Sequence, residues 1–348
     1  MAVTTNLPFQ LNVCPSTLSE GFSTYSPSAL RNVFYGKKVS HLLDFDAPEM
    51  NEDVAEMFRQ NSKSISVSGA QFKQSLILEK NILRLTTPGE QGQYILKPVP
   101  FRPPFGKAEE LPANEHLTMQ LAKQVFGIQT AECGLVFFRN GQAAYITRRF
   151  DITNNGGKIA QEDFASLSGK SKAGNGDSYR NLGSYLDVAF LLKNYVSAYP
   201  VEIEKLFNRV VFNYIFSNGD AHLKNFSLQQ TANGDYILSP AYDMFNTAIH
   251  ISNDSFFALY DGLFLNDYES ESFQKLGFYA YDDFYDFGIK AGMVESRIKK
   301  ILFSYTNPNP KVSAMAIRSF LSPTIRDLYL KQYKERVLML GRSFRQIL

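Results

Sequence analysis

The sequence predicts an α+β protein with a small β-rich lobe followed by a larger, mainly helical lobe. Three observations support this prediction. Short alternating and apolar runs separated by turn residues fill residues 64–148. From about residue 182 onward, apolar residues recur mostly at helical spacing. The chain has 348 residues, which is long enough for two lobes with separate cores.

An antiparallel meander is predicted over residues 64–99. SISVSGAQFKQSLILEK alternates and then runs apolar, NILRL follows a turn, and QYILKPV follows the loop TTPGEQG. Residues 1–62 contain few long periodic segments, and within them SPSALRNVFYG predicts a short helix capped by Ser26 or Ser28.

A helix and a hairpin complete the predicted β-rich lobe. LPANEHLTMQLAKQVFGI carries Leu117, Leu121 and Val125 at i, i+4 and i+8, and Gly127 closes the helix. GLVFFRNGQAAYITRRF predicts two strands joined by an Asn-Gly turn. The Gly-, Ser- and Lys-rich stretches that follow predict flexible connections.

Four long helices are predicted in the second lobe: LGSYLDVAFLLKNY, VEIEKLFNRVVFNYIF, VESRIKKILFSY and IRDLYLKQYKERVLMLGRSF. They are interrupted by NFSLQQTANGDYILSPAYD, in which two short strands flank a second Asn-Gly turn. The predicted units are therefore an N-terminal segment at 1–62, an N-lobe at 63–150 and a C-lobe at 151–348.

Composition and charge exclude several classes of protein. The net charge is only +2, so the chain has no global attraction for nucleic acid or for an anionic membrane surface. Cys14 and Cys133 are too few for a disulfide framework or a cysteine-pair zinc site, and they favour a reducing compartment. Neither an export signal nor an 18-residue apolar run is present. We therefore expect a cytoplasmic protein.

The stretch FNYIFSNGDAHLKNFSL at residues 212–228 concentrates polar side chains between two apolar runs. Asp220 and Asn225 are five residues apart, as are the base aspartate and the metal-binding asparagine of protein-kinase catalytic loops. Such a loop holds a carboxylate against the attacking hydroxyl and turns an amide oxygen toward Mg²⁺. Asp243, after the next hairpin, adds a carboxylate for the metal, and Lys224 is placed to reach the transferring phosphoryl group.

Two residues of the first lobe fit the nucleotide side of the same reaction. Lys97 ends the third predicted strand, where a kinase lysine contacts the α- and β-phosphates. Glu115 lies near the start of the next helix, where a kinase glutamate pairs with that lysine, so we predict an ion pair between them. Each of these residues alone is more typical of an ordinary structural polar group. Their combination at the lobe boundary favours an ATP and Mg²⁺ site.

Seven segments occur in order along the chain: SISVSGAQFKQSL, YILKP, NEHLTMQLAKQVFGI, RRFD, QEDFA, SNGDAHLKNFSL and SPAYDM. Together they resemble the HipA family of bacterial toxin Ser/Thr kinases, from about residue 60 to the C-terminus. The resemblance implies a two-lobed protein-kinase-like fold with ATP and Mg²⁺ as cofactors. The segment SISVSGAQFK would cover the phosphates, although it departs from the G-x-G-x-x-G pattern.

The resemblance implies a role for each matching residue. Asp220 resembles the catalytic base, with Lys224 beside it, and Asn225 and Asp243 resemble the Mg²⁺ ligands. The residues expected to contact the nucleotide are Ser66, Ser68, Gly69, Lys97, Glu115, Arg149, Phe150 and His222. The family commonly has Glu at the position of Arg148, so side-chain contacts at the adenine hinge are expected to differ, whereas backbone contacts are expected to remain.

The N-terminal segment differs from full-length HipA proteins, for which the resemblance implies a longer extra subdomain. With the SIS sequence at 64–66, this resembles HipT, the kinase of three-component systems. The expected partners are then a HipS-like small protein and a HipB-like antitoxin, through which DNA would be contacted only indirectly. Ser64 and Ser66 align with autophosphorylated serines of the family; turn or strand-edge packing is the alternative for them.

The resemblance predicts an ATP-dependent Ser/Thr protein kinase that acts as a toxin, with an aminoacyl-tRNA synthetase as its substrate class and no membrane partner. Two alternatives stay open. One is a catalytically silent kinase-fold module that binds a DNA-bound antitoxin, although the set of catalytic residues is intact. The other is a metal-dependent phosphohydrolase with Asp220, His222 and Asp243 as ligands, which leaves Lys97 and Glu115 without roles.

Overall fold

The structure is a computed structural model that describes residues 10–49, 72–100, 106–153, 155–251 and 255–344. Four residues of the predicted phosphate-covering segment lie outside these ranges: Ser64, Ser66, Ser68 and Gly69. None of the helices within the described ranges combines the length and apolarity that crossing a membrane requires.

The first lobe is built on a five-stranded antiparallel sheet in the order β2-β1-β3-β5-β4. Its strands are β1 Gln74–Glu79, β2 Ile82–Leu85, β3 Tyr94–Lys97, β4 Cys133–Phe137 and β5 Ala143–Arg148. The predicted meander is confirmed from residue 74 onward, and so is the predicted hairpin. Lys97 is the last residue of the central strand β3, where it pairs in register with Tyr145.

The N-terminal segment packs against this sheet. Helix α1, Pro27–Phe34, begins after its predicted cap, Ser26. The hydroxyl of Tyr25 donates a hydrogen bond of 2.7 Å to the backbone carbonyl of Leu135 in β4. Apolar side chains of residues 14–43 and of the strands form one buried cluster, so this segment shares a core with the sheet.

Helix α2, Leu111–Gln124, packs between the sheet and the helical lobe. All of its residues from Leu111 to Ala122 are buried, including three polar ones in succession, Asn114, Glu115 and His116. A helix that is buried all round must satisfy its polar side chains within the protein. The partners of Glu115 and Asn114 therefore come from other elements, and these partners define the candidate site.

The second lobe contains the remaining helices of the described chain. They are α3 Phe164–Leu167, α4 Lys172–Asn175, α5 Tyr185–Tyr195, α6 Tyr199–Ile215, α7 Glu271–Leu276, α8 Tyr281–Lys290, α9 Glu295–Phe303, α10 Pro310–Ile317 and α11 Pro323–Leu340. The four long predicted helices are confirmed as α5, α6, α9 and α11. The sequence pattern does not predict α3, α4, α7, α8 and α10. The first two have four residues each and α7 has six, which is too short to show a helical period, and α8 is rich in aromatic residues of weak helix propensity.

A three-stranded antiparallel sheet in the order β6-β7-β8 frames the candidate catalytic loop. Its strands are β6 Gln161–Asp163, β7 Ser227–Gln230 and β8 Tyr236–Leu238. The hairpin of β7 and β8 is confirmed, whereas β6 is not predicted by the sequence pattern. The loop at 217–226 joins α6 to β7, and Asp243 lies five residues after β8, so this small sheet positions both segments.

One apolar cluster joins the two lobes. It contains Leu117 of α2 and Tyr145 of β5 together with Phe212 of α6 and Tyr329 of α11. Because side chains of both lobes share this core, Lys97 at the end of β3 is held close to Asp243, which follows β8.

Candidate active site

Lys97, Glu115 and Asp243 form a buried cluster of charges at the junction of the lobes. The Nζ atom of Lys97 is 2.6 Å from Oε1 of Glu115 and 2.5 Å from Oδ1 of Asp243. The side chains of Lys97 and Glu115 are only 3% and 1% exposed. The predicted ion pair is therefore present, and Asp243 is a second partner of the same ammonium group.

The charges of this cluster support one another against the cost of burial. Burial by itself lowers the pKa of Lys97, but the two carboxylates outweigh it and raise that pKa above its usual range. Burial raises the pKa of Glu115 to about 7, although Lys97 opposes this shift. Burial also acts to raise the pKa of Asp243, but Lys73 and Lys97 hold it well below its usual range.

The segment after Asp243 is anchored to helix α2. Asp243 itself has a φ of 54°, in the left-handed region that Asp tolerates better than most residues. The side-chain amide of Asn114 donates to the carbonyl of Asn246 at 2.8 Å, and the Asn246 N–H donates to Oδ1 of Asn114 at 3.0 Å. Since Asn114 and Glu115 are neighbours, helix α2 positions both Lys97 and the chain that follows Asp243.

Four predicted residues lie in the loop between α6 and β7: Asp220, His222, Lys224 and Asn225. The loop is tied to the segment after Asp243 by Thr247. Its hydroxyl accepts a hydrogen bond of 2.7 Å from the Gly219 N–H and donates one of 2.8 Å to the Ser217 carbonyl. The structure thus joins this loop and the Lys97 cluster through one short segment.

Asn225 provides a test of whether Mg²⁺ fits the site. Its Oδ1 atom is buried and accepts no hydrogen bond from any residue that the structure describes. Leaving such an acceptor unsatisfied costs about 1–3 kcal/mol, which a bound cation would offset. The amide oxygen of Asn225 and the carboxylate of Asp243 are the oxygen ligands that Mg²⁺ prefers, with phosphates and water completing its coordination. The residues present therefore fit a magnesium–nucleotide complex.

A metal site built from protein ligands alone is a different arrangement. Within the described parts of the chain, no three His, Cys, Asp or Glu side chains are grouped so that they could hold a metal ion. The set Asp220, His222 and Asp243 therefore does not form the ligand group that the phosphohydrolase alternative requires.

His222 and Lys224 have contrasting surroundings. Burial, with a further contribution from the positive charge of Arg180, lowers the pKa of His222 to about 3, so the ring is neutral at pH 7. The side chain of Lys224 is 42% exposed, and its Nζ atom is 3.2 Å from Oδ2 of Asp163 in β6. Lys224 thus has a carboxylate partner in this structure, and its contact with a phosphoryl group stays a prediction.

Arg149 and Phe150 follow strand β5 at the expected hinge between the lobes. The guanidinium of Arg149 binds the carboxylate of Asp151 through two hydrogen bonds of 3.0 and 2.5 Å. The ring centroid of Phe150 is 5.6 Å from that of Tyr242. The Arg149 side chain is therefore engaged within the protein, which leaves backbone groups for the adenine contacts that the hinge prediction assigns.

Three residues at this site were missed by sequence reasoning: Lys73, Asp163 and Tyr242. Lys73 Nζ is 3.4 Å from Oδ2 of Asp243, and Asp163 holds Lys224. Tyr242 directly precedes Asp243. All three lie in or beside segments that carry the family resemblance, which was the available signal. Their partners depend on contacts between distant parts of the chain.

Comparisons with known proteins find a family, two sequence relatives and a solved structure that are similar to this chain. Residues 65–306 match the HipA-like C-terminal domain family. A "Putative kinase" of Haemophilus influenzae is 28% identical over 341 residues, which cover 94% of this chain and 95% of that protein. "Putative kinase Y4dM" of Sinorhizobium fredii is 31% identical over 234 residues, or 62% of this chain and 53% of that protein. Among solved structures, Shewanella oneidensis HipA, in a complex with HipB and operator DNA, superposes with a TM-score of 0.59 and 18% identity, covering 85% and 72% of the two chains.

The fold and the site together define a two-lobed α+β protein of the kinase-like class, as the sequence predicts. Since the family match spans more than half of its residues, the chain belongs to the HipA-like C-terminal domain family. The finer resemblance to HipT stays a prediction.

Proposed function

We propose that this chain is an ATP-dependent serine/threonine protein kinase that acts as the toxin of a bacterial toxin–antitoxin system. The observation that carries the proposal is the buried contact of Lys97 with both Glu115 and Asp243. A kinase requires a lysine oriented by a glutamate and, close to it, a carboxylate for the metal. The unsatisfied amide oxygen of Asn225 supplies the second ligand.

Nucleotide binding would use the two lobes together. Lys97, oriented by Glu115, would contact the α- and β-phosphates. Asn225 and Asp243 would hold Mg²⁺, which when bound neutralises charge on the phosphates. Because Lys97 contacts Asp243 directly in this structure, phosphate oxygens must take the place of that carboxylate on the lysine.

Asp220 would act as the general base. It would accept the proton of a serine or threonine hydroxyl as that oxygen attacks the γ-phosphorus and the bond to the β-phosphate oxygen breaks, releasing ADP. Lys224 would stabilise the charge of the transferring group after separating from Asp163. The neutral ring of His222 would line the nucleotide pocket.

The partners follow from the family resemblance and from the solved relative. Shewanella oneidensis HipA is found with HipB and its operator DNA. We propose a HipB-like antitoxin and a HipS-like small protein as partners, with DNA contacted only through the antitoxin. An aminoacyl-tRNA synthetase is the proposed substrate class, and Ser64 and Ser66 are the proposed autophosphorylation sites.

Incubation with Mg²⁺ and labelled ATP, followed by a search for phosphoserine, tests this function. A kinase incorporates label into protein, and Asp220→Asn abolishes the incorporation. A silent module incorporates no label and releases no phosphate, whereas a phosphohydrolase releases phosphate without labelling protein. Either of the last two results would contradict the proposal.

A further inference from the structure

Tyr242 connects the two segments that carry the proposed metal ligands. Its hydroxyl is 2.8 Å from the backbone carbonyl oxygen of Lys224 and 3.2 Å from Oγ of Ser227. Lys224 directly precedes Asn225, and Tyr242 directly precedes Asp243. A single hydroxyl group therefore connects the residue before one ligand to the residue before the other.

A network of hydrogen bonds between polar groups extends from Ser227, one of the two partners of this hydroxyl. Oγ of Ser227 is 2.7 Å from Oγ of Ser239, the residue that follows β8. The guanidinium of Arg209 in α6 donates a hydrogen bond to the carbonyl of Ser239. Gln161 of β6 donates to Oγ of Ser227 at 2.8 Å. The network thus links α6, strands β6 and β7 and the residue after β8 to Tyr242.

Burying the charged side chain of Arg209 in this position costs free energy. It is 2% exposed, and its Nε and Nη1 atoms have no hydrogen-bond partner among the described residues. Burial lowers its pKa to about 10, so the guanidinium is still charged at pH 7. A buried charge with unsatisfied donors adds little to stability, and an apolar side chain of similar volume often serves as well. Its contact with the Ser239 carbonyl therefore points to a role in holding the chain that leads to Asp243.

We propose that the Tyr242 hydroxyl, anchored through Ser227 and Ser239 by Arg209, fixes the spacing between Asn225 and Asp243. The inference rests on the proposed function, because a metal–nucleotide complex needs these two oxygen ligands at a set separation. Tyr242 acts through the residues that bind the metal, so it is a positioning residue.

Tyr242→Phe removes the hydroxyl and keeps the ring that packs on Phe150. The Mg²⁺ concentration required for half-maximal binding of a non-hydrolysable ATP analogue should rise roughly three- to tenfold, the range expected for the loss of one hydrogen bond. Binding of the same analogue without Mg²⁺ should change less than about twofold, since the phosphate and adenine contacts remain. Calorimetric titration at stepped Mg²⁺ concentrations measures both quantities without requiring turnover.

Tyr305→Phe is the matched control. Tyr305 is buried, and its hydroxyl makes one hydrogen bond of 2.6 Å, to Oδ1 of Asn208, which is not a residue of the candidate site. We expect this variant to keep the parental Mg²⁺ dependence. Arg209→Met, which removes the anchor, should shift the Mg²⁺ dependence in the same direction as Tyr242→Phe.

The outcomes separate this inference from the proposed function. A parent protein whose nucleotide binding does not respond to Mg²⁺ would contradict the function itself. A responsive parent with an unchanged Tyr242→Phe variant, or an equal shift in Tyr305→Phe, overturns the positioning role alone. Unfolding of Tyr242→Phe while Tyr305→Phe remains folded also overturns it, because the hydroxyl would then be structural.

Discussion

Replacing Glu115 by glutamine should change how the stability of this protein depends on pH. The carboxyl of Glu115 is 1% exposed, and burial raises its pKa from the reference value of 4.5 to about 7. A carboxyl group with a raised folded-state pKa contributes stability below the unfolded pKa, and this contribution is lost as pH rises through the folded pKa. The parent should therefore lose stability relative to Glu115→Gln between about pH 4.5 and pH 7.

The size of the stability difference follows from the pKa of Glu115. This pKa is about 2.5 above the reference value of 4.5, and a difference of one in pKa corresponds to ~1.36 kcal/mol of stability. The upper limit is thus about 3 kcal/mol, reached above pH 7. Lys97 keeps Asp243 as a partner in Glu115→Gln, so the lysine is not left as an uncompensated buried charge.

Urea unfolding of the parent and of Glu115→Gln at pH 5, 6, 7 and 8 measures this difference. We expect the stability of the variant relative to the parent to rise from pH 5 to pH 7 and to level off by pH 8. Asp243→Asn provides a control without a slope in this range, because the pKa of Asp243 is depressed from 3.8 and its contribution is lost only as pH falls below that value toward the folded-state pKa. Parallel stability curves for the parent and Glu115→Gln would refute the assignment of a raised pKa to this carboxyl.

Three further predictions concern the proposed reaction. Asp220→Asn should lower phosphoryl transfer by at least about a hundredfold while the ATP analogue still binds, and near-normal autophosphorylation would rule out its role as the base. Asp243→Asn should mainly remove the Mg²⁺-dependent part of ATP binding, so a calorimetric titration with unchanged Mg²⁺ dependence would exclude it as a ligand. Phosphorylation of Ser64 or Ser66 adds a charge of about −1.5 to −2 to the segment proposed to cover the phosphates. Ser64→Asp and Ser66→Asp should therefore weaken ATP binding and growth arrest, with the Ala variants as controls; full activity of the Asp variants would show that charge there is not inhibitory.

Much of the fold and part of the site follow from local sequence signals. Asn-Gly turns between alternating runs predict both hairpins, and apolar residues at helical spacing predict α2, α5, α6, α9 and α11. The spacing of Asp220 and Asn225 indicates one catalytic loop, because neighbouring residues of one loop need no tertiary information. Lys97 and Glu115 could be paired because each lies at a recognisable end of a predicted strand or helix.

Only the tertiary structure decides the remaining contacts, because they join residues far apart along the chain. Lys97 meets Asp243 across 146 positions, and the Lys224–Asp163 pair depends on β6, a strand too short to show a period. The pKa values of Glu115 and Asp243 diverge although both are carboxyl groups near Lys97. Burial acts to raise both pKa values, but Lys73 and Lys97 together outweigh it at Asp243, whereas at Glu115 burial outweighs the opposing charge of Lys97. These surroundings exist only in the packed lobes.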